Sequence, residues 1–235
     1  MPALSTAKIL EVFRSIQGEG LYLGLPQVFV RFFECNMHCV WCDSPGSIGD
    51  TSRHYKDVAL EDLVNEIKAL YGGCHSVSIT GGEPLVQVDF LQALLPILRQ
   101  QGMTIYLETN GVLPQALAMV IADVNIVAMD FKLPSSTKER PFWKEHEDFL
   151  RIARQKEVFI KAVITNDMTD DDVYQAVDLV RHIDPDIPFI LQPNYFDMKS
   201  TSGCIAKCVD LQQYSLKFLK DVRIIPQVHK FMKLR

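Results

Sequence analysis

Apolar residues follow two alternating patterns along the chain, short continuous runs and longer stretches with a helical period. The runs are rich in Val, Ile and Phe, as buried β-strands are. They predict strands at Val28–Phe33, Ser76–Thr80, Thr104–Glu108, Asn125–Met129, Val158–Ile164, Phe189–Gln192 and Val222–Ile225. The stretches with a helical period predict helices over Leu60–Tyr71, Phe90–Gln100, Asp171–Ile183 and Leu211–Leu219.

Strands that alternate with helices are typical of a parallel sheet with helices packed on its outside. We therefore predict an α/β fold, a partial (open) βα barrel of about six parallel strands with outer helices. Residues 1–235 would form it as a single domain. Functional residues of such barrels lie at the carboxyl ends of the strands, so we expect them in the loops that follow each strand.

Composition and charge narrow the class of protein. The 235 residues are 48% hydrophobic and 23% charged, with a formal net charge of −5, which argues against binding to nucleic acid or to a membrane surface. No apolar run reaches the roughly 18 residues of a membrane-spanning helix, and the first residues lack a signal-peptide pattern. We expect a cytoplasmic protein, in which the six cysteines indicate metal binding or catalysis rather than disulfides.

Three cysteines lie close together after the predicted strand Val28–Phe33. Cys35, Cys39 and Cys42 have the spacing C-x3-C-x2-C, which lets one tight loop present three thiolates to a metal centre. Thiolates bind iron–sulfur clusters or zinc. Three thiolates on a [4Fe–4S] cluster leave one iron without a protein ligand, and S-adenosylmethionine (SAM) chelates that iron in radical SAM enzymes. The spacing, with Trp41 just before the third cysteine, resembles the signature of that superfamily.

A structural zinc site is the alternative for the cysteines. His38 would be the fourth ligand, but it is adjacent to Cys39, which makes a shared tetrahedral geometry difficult. A second motif favours SAM, because Gly81-Gly82-Glu83-Pro84 follows the next predicted strand. Its glycines allow close approach of the backbone to a ligand, and Glu83 can pair with an ammonium group. The motif resembles the Gly-Gly-Glu segment that receives the methionine amino group in the same superfamily.

Further segments narrow the resemblance to one family. They are Ser15-Ile16-Gln17-Gly18-Glu19-Gly20, Arg31 shortly before the first cysteine, Cys42-Asp43-Ser44, Leu107–Gly111, Phe131–Ser136, Leu191–Pro193 and Gln227–Lys230. Together they resemble the 7-carboxy-7-deazaguanine synthases of queuosine and deazapurine biosynthesis. The resemblance extends over essentially the whole chain.

The resemblance implies which residues bind substrate, cofactor and metal. The implied substrate-binding residues are Ile16, Gln17, Gly18, Glu19, Arg31 and Thr80. The residues that would bind SAM are Gly82, Glu83, Asp130, Phe131, Lys132, Gln192, Pro193, Asn194 and Tyr195. Cys35, Cys39 and Cys42 would hold the [4Fe–4S] cluster, and Ser44 would offer an oxygen ligand to Mg²⁺, a hard ion that prefers such ligands.

The implied substrate is 6-carboxy-5,6,7,8-tetrahydropterin. A 5′-deoxyadenosyl radical would remove hydrogen from its C6, after which ring contraction and loss of ammonia would give 7-carboxy-7-deazaguanine. The radical chemistry belongs to the cofactor, and the protein orients the reactants. The resemblance also implies an electron donor such as flavodoxin or ferredoxin, and a homodimer.

Several alternatives stay open. Asp130-Phe131-Lys132 stands where many members of the family have Ser-Pro-Lys, so Asp130 and Lys132 could instead form an ion pair at the end of a strand. Arg31 could be a surface arginine, and Ser44 could cap a turn. A glycyl-radical enzyme activase and a non-catalytic zinc-binding module are the alternative functions.

Overall fold

The structure of the chain is a computed structural model, and it describes residues 6–49, 54–200 and 203–234. The strands are β1 (Thr6–Ile16), β2 (Pro26–Phe32), β3 (Lys56–Ala59), β4 (Ser76–Gly81), β5 (Ile105–Thr109), β6 (Ile126–Phe131), β7 (Glu157–Ile164), β8 (Phe189–Pro193) and β9 (Val222–Ile224). The α-helices are α1 (Leu60–Tyr71), α2 (Val88–Gln100), α3 (Pro114–Val120), α4 (Pro134–Thr137), α5 (Trp143–Ala153), α6 (Asp170–Ile183), α7 (Tyr195–Ser200), α8 (Gly203–Ser215) and α9 (Val228–Met232).

All strands belong to one nine-stranded sheet in the order β3-β1-β2-β4-β5-β6-β7-β8-β9. Every pair from β2–β4 to β8–β9 is parallel, whereas β1 pairs antiparallel with both β2 and β3. Within the described residues, β3 and β9 do not pair with each other, so the barrel is open. The predicted fold class is confirmed, with seven neighbouring parallel strands where about six were expected.

The strands β1 and β3 were not predicted. In β1 the buried residues Ala7, Ile9 and Phe13 are separated by polar or partly exposed ones. A β-bulge between Ile9 and Glu11 shifts the register, and a bulge interrupts the period of two by which a strand is recognised. The strand β3 has only four residues, none of them fully buried.

The last long helix lies earlier in the chain than predicted. The prediction was Leu211–Leu219, whereas α8 spans Gly203–Ser215. Its buried face consists of Cys204, Cys208, Leu211 and Ser215. Cysteine and serine occupy three of these four positions, so the apolar period that marks a helix is not visible there. The helices α3, α4, α5, α7 and α9 were also not predicted.

The main apolar core lies between the sheet and the surrounding helices. A smaller cluster of Tyr106, Ile126, Phe159 and Ile190 includes two rings, Tyr106 and Phe159, that line a cavity at the inner face of the sheet. Because the core leaves the carboxyl ends of the parallel strands uncovered, their loops surround this cavity. No helix in the described part of the chain is long and apolar enough to cross a membrane.

Candidate active site

The three clustered cysteines lie in the loop of residues 33–49 that follows β2, which we call the cysteine loop. The loop turns at Glu34, whose φ of 82° is in the left-handed region. Two backbone hydrogen bonds close it, from Cys35 N to Ile48 O at 3.1 Å and from Cys42 N to Cys39 O at 3.1 Å. All three cysteines are partly buried and line one cavity, as the spacing predicted.

The thiols of this loop favour the protonated form when they are free. Burial raises the pKa of each thiol, that of Cys35 to about 11, although the ammonium of Lys132 opposes the rise at all three. A thiolate at this place therefore requires a strong cation such as a metal centre, and metal binding would release the protons. Three thiols on one short loop are a donor set that suits a soft-ligand iron–sulfur cluster.

The Gly-Gly-Glu motif at the end of β4 packs directly against the end of β2 and the start of the cysteine loop. Gly82 N donates to Phe32 O at 3.1 Å, and Glu83 N donates to Glu34 O at 2.9 Å. A Cβ on Gly82 would lie 2.1 Å from Glu34 O, and one on Gly81, where φ is 136°, would lie 2.1 Å from Phe32 O. The glycines are therefore needed for contact between the two segments as well as for an approach to a ligand.

Glu83 is placed differently from the expectation. Its side chain is fully buried and does not line the cavity. Its carboxylate accepts hydrogen bonds from Leu85 N at 3.1 Å, Thr109 Oγ1 at 2.9 Å and Asn110 N at 2.7 Å. Burial raises the pKa of Glu83 to about 7 in spite of these donors. In this structure Glu83 joins the motif to the end of β5 and presents no atom to the cavity.

The cavity has a volume of about 360 Å³ and collects most of the predicted site residues. Those that line it are Ile16, Gln17, Gly18, Glu19, Arg31, Cys35, Cys39, Cys42, Ser44, Thr80, Gly82, Asp130, Lys132, Gln192 and Asn194. Besides Glu83, three predicted residues do not line it. Phe131 is buried and packs on His146 and Phe189, Pro193 ends β8, and the ring of Tyr195 contacts Phe231 at 5.8 Å.

Partly buried charges form a chain along the cavity wall. Lys132 Nζ lies 2.9 Å from Asp130 Oδ2, and Lys161 Nζ lies 3.5 Å from the same oxygen. Lys161 also donates to Glu19. Burial opposes the charged form of Glu19, but the Lys161 ammonium lowers the pKa of Glu19 to about 2. The ion pair of Asp130 and Lys132 exists, as the sequence allowed, and both residues nevertheless line the cavity.

A second set of hydrogen bonds joins the turn after β1 to β5. Gln17 Oε1 accepts from Glu19 N at 3.0 Å, and Gln17 Nε2 donates to Glu108 Oε1 at 2.8 Å. Glu108 Oε2 accepts from Thr80 Oγ1 at 2.8 Å. Two predicted substrate residues, Gln17 and Thr80, thus meet at Glu108, and Glu19 is joined to it through Gln17.

Arg31 is a cavity residue rather than a free surface arginine. Its Nε donates to Glu11 Oε1 at 2.9 Å, and its Nη1 donates to Ser44 Oγ at 3.3 Å. The guanidinium lies 5.9 Å from the ring centre of Phe13, which stacks on Phe29 at 5.2 Å. The predicted carboxylate-binding and Mg²⁺-binding residues are therefore in contact with each other.

Sequence reasoning assigned no role to several residues of the cavity. Gln227 Nε2 donates to Glu19 Oε1 and to Asp43 Oδ2, both at 2.7 Å. His229, Glu19 and Asp43 each offer a possible metal-ligand atom within 4.8 Å of the others. Lys161 could have been noticed in the sequence as a single charge inside an apolar strand. Gln227 and His229 belong to the segment Gln227–Lys230, which carries part of the family resemblance.

Two buried polar atoms of the cavity residues have no partner. Asp130 Oδ1 and Gln192 Oε1 accept no hydrogen bond from the described residues. Buried acceptors are rarely left unsatisfied in a finished site. A ligand with hydroxyl or ammonium donors fits them.

Comparison with known proteins agrees with this geometry. The Radical SAM superfamily profile matches residues 30–180. A 7-carboxy-7-deazaguanine synthase from Geobacter sulfurreducens is 39% identical over 243 residues, covering 96% of this chain and 97% of that protein. One from Archaeoglobus fulgidus is 33% identical, covering 97% of this chain and 99% of that protein. The crystal structure of QueE from Escherichia coli has the same fold, with a TM-score of 0.62, 21% identity and 95% of each chain covered.

The cysteine loop at the mouth of an open βα barrel and the matched profile define a radical SAM enzyme, with a [4Fe–4S] cluster and SAM as its cofactors. Within that superfamily the chain belongs to the 7-carboxy-7-deazaguanine synthase family. The alternative of a non-catalytic zinc-binding module finds no support in these comparisons.

Proposed function

We propose that the protein converts 6-carboxy-5,6,7,8-tetrahydropterin into 7-carboxy-7-deazaguanine with loss of ammonia. The observation that carries the proposal is one cavity lined both by three cysteine thiols and by Glu19, Arg31 and Glu108. Its volume of about 360 Å³ suits a small ligand, since such sites span roughly 300–1,000 Å³. The synthase names of the relatives that match almost the whole chain support the same reaction.

Cys35, Cys39 and Cys42 would hold three irons of the [4Fe–4S] cluster. When bound, the cluster and SAM supply the one-electron chemistry that no amino-acid side chain provides. Gly82, Asp130, Lys132, Gln192 and Asn194 would hold SAM, and the unpartnered Asp130 Oδ1 and Gln192 Oε1 are acceptors for its hydroxyl or ammonium groups. The residues present fit both groups.

The remaining cavity residues would orient the pterin. Carboxylates of Glu19 and Glu108 are acceptors for the N–H groups of an aminopyrimidinone ring, and charge-assisted hydrogen bonds of this kind are strong. The guanidinium of Arg31 would bind the substrate carboxylate. The stacked rings of Phe13 and Phe29 offer an apolar wall to the pterin.

We place Mg²⁺ beside Ser44. Its hydroxyl lies 3.4 Å from Asp43 Oδ1, so an oxygen donor and a carboxylate suited to a hard cation are adjacent. Arg31 also contacts Ser44 Oγ, which favours binding of the ion together with the anionic substrate rather than alone. An external electron donor such as flavodoxin or ferredoxin, and a homodimer, complete the proposal.

The experiment is anaerobic incubation of reconstituted protein with reductant, SAM and the carboxytetrahydropterin, followed by mass spectrometry. Cys39→Ala is expected to lose the cluster and the turnover together. Cys74→Ala is the matched control, because Cys74 is partly buried but lies outside the cavity, and it should retain both. Absence of the deazaguanine product from cluster-loaded wild-type protein would contradict the proposed reaction.

A further inference from the structure

His146 is a buried histidine outside the predicted site, on α5. Its Nε2 lies 3.1 Å from the backbone N of Lys132, and its Nδ1 lies 3.1 Å from the carbonyl oxygen of Gly111. A backbone N–H can only donate, so Nε2 accepts. The ring proton is therefore on Nδ1, which donates to Gly111 O.

The surroundings of His146 keep this tautomer. Burial lowers the pKa of His146 to about 4, so the ring is uncharged at neutral pH and retains one acceptor nitrogen. The imidazole packs against the ring of Phe131 at 4.5 Å and that of Phe142 at 6.5 Å. Each ring nitrogen thus has one partner in a fixed ring.

The two backbones that His146 joins have no direct pairing with each other. The ladder between β5 and β6 ends at the pair Thr109 and Met129, so Gly111 and Lys132 lie beyond its last pair. A Cβ on Gly111 would lie 3.2 Å from His146 Nδ1, which shows how closely the ring approaches. The imidazole bridges the two strand ends where the sheet no longer does.

Both strand ends carry contacts to the cysteine loop. On the Lys132 side, the ammonium lies 5.0 Å from the ring centre of Trp41, and its positive charge favours the thiolate form of Cys39. On the Gly111 side, the neighbouring Asn110 donates from Nδ2 to Asn36 Oδ1 at 2.7 Å. Trp41 and Asn36 both belong to the cysteine loop.

We propose that His146 is a positioning residue for the cluster and for SAM. By accepting from Lys132 N and donating to Gly111 O, it fixes the Lys132 ammonium beside Trp41 and Cys39. This inference rests on the proposed function for the identity of the bound groups. It requires no contact between His146 and either cofactor, since the imidazole acts through the two backbones.

The test measures SAM binding and the electron paramagnetic resonance spectrum of the reduced cluster, with and without SAM. His146→Leu removes both hydrogen bonds, and we expect SAM to bind roughly five- to tenfold more weakly, the effect of about one hydrogen bond, with an altered spectrum. His146→Gln places a carbonyl oxygen near the position of Nε2 and should recover most of the affinity. Phe149→Leu, a buried change on the same helix, is the control that lowers Tm and leaves SAM affinity unchanged.

Wild-type SAM affinity and spectrum in His146→Leu, with only a lower Tm, would overturn the inference. If that variant does not fold, His146→Gln is compared with His146→Asn. The Asn amide can replace the donor to Gly111 O but does not reach Lys132 N. Tighter SAM binding by the Gln variant is expected, and equal or weaker binding by it contradicts the inference. Wild-type protein that binds SAM but forms no deazaguanine would overturn only the proposed reaction.

Discussion

At the scale of single residues, the cavity depends on charges that are partly buried in pairs. Lys132, Asp130, Lys161 and Glu19 alternate in sign along one wall. Removal of one partner from such a set leaves an uncompensated charge, which costs far more than the net contribution of the pair. These residues are therefore coupled, and a change in one alters the others.

Lys161→Met should destabilise the protein by about 3 kcal/mol, the lower end of the range for a buried pair, because Glu19 and Asp130 lose their shared cation while both are partly exposed and Asp130 keeps Lys132. Urea denaturation measures the free energy of unfolding. Without Lys161, the effect of burial on Glu19 is opposed by Gln227 and His229 but no longer by the ammonium, so the pKa of Glu19 and the substrate KM should rise. Lys144→Met is the matched control, because Lys144 is exposed and pairs with Asp148 on its own helix, and it should change neither quantity. Equal behaviour of the two variants would contradict the coupling.

Glu83 should make stability depend on pH. Its pKa is raised to about 7 in the folded protein by burial, so the folded state binds more protons than the unfolded state between pH 4.5 and 7. The stabilising contribution of Glu83 to the free energy of unfolding is therefore fully present below pH 4.5, and it is lost as the pH rises through about 7. Urea denaturation across this range should show the contribution of Glu83 as the difference in slope between wild type and Glu83→Gln, because His146, whose pKa burial lowers to about 4, adds the same opposite slope to both. Glu66→Gln, at an exposed position, is the control and should have the same pH dependence as wild type. Parallel curves for wild type and Glu83→Gln would exclude Glu83 as a source of the pH dependence.

At the scale of elements, the site is assembled where segments distant in sequence pack without side chains between them. The end of β4 lies on the end of β2 through Gly81 and on the cysteine loop through Gly82, and α9 lies on the turn after β1 through Gly18. Val228 N donates to Gly18 O at 2.9 Å. These glycines are required by contact between segments and not only by turn geometry.

Gly18→Ala should displace α9, since the added Cβ would lie 2.3 Å from His229 Nδ1. We expect substrate KM to rise roughly tenfold, as for the loss of about 1.4 kcal/mol of binding. The iron content should be unchanged, because α9 meets the cysteine loop at Asp43, through Lys230, and not at a cysteine. Steady-state kinetics and iron analysis measure both. Gly72→Ala is the control, because no atom lies within 4 Å of its added Cβ. A wild-type KM in Gly18→Ala would remove α9 from the substrate site.

At the scale of the whole molecule, the sheet and the cysteine loop are stabilised by different means. The main core contains none of the three cluster cysteines. Cys35 and Cys39 pack on a small satellite group of apolar residues, Met37, Val112 and Phe142. The [4Fe–4S] cluster is therefore expected to order the cysteine loop, while burial of apolar side chains stabilises the sheet.

Anaerobic removal of the cluster should accordingly have a local effect. Amide hydrogen exchange in the cysteine loop should become faster, whereas β4 to β8 keep their protection and the far-ultraviolet circular dichroism is unchanged. Mass spectrometry of peptides from the holo and apo forms measures this. Loss of protection throughout the sheet would mean that the cluster stabilises the entire fold.

Much of this architecture follows from local patterns. The parallel strands and the helices α1, α2 and α6 were predicted to within a few residues, because burial on one or both faces repeats at short range. The strand β1 was not predicted because its bulge interrupts that repeat. The helix α8 was placed too late in the chain because cysteine and serine form part of its buried face. The position of the functional loops at the carboxyl ends of the strands followed from the parallel βα pattern.

The sequence by itself indicated the chemistry of the site. The three cysteines at C-x3-C-x2-C and the Gly-Gly-Glu turn are each short motifs of neighbouring residues, so each can be recognised without knowledge of the fold. Only the tertiary structure decided which charges meet. Lys161 and Glu19 are 142 residues apart, and Gln227 and Glu19 are 208 apart. It also turned Glu83 away from the cavity and set His146 between two strand ends. The physical reason is that spacing fixes which residues share a loop, whereas hydrogen bonds and ion pairs depend on distances across the fold that no local pattern contains.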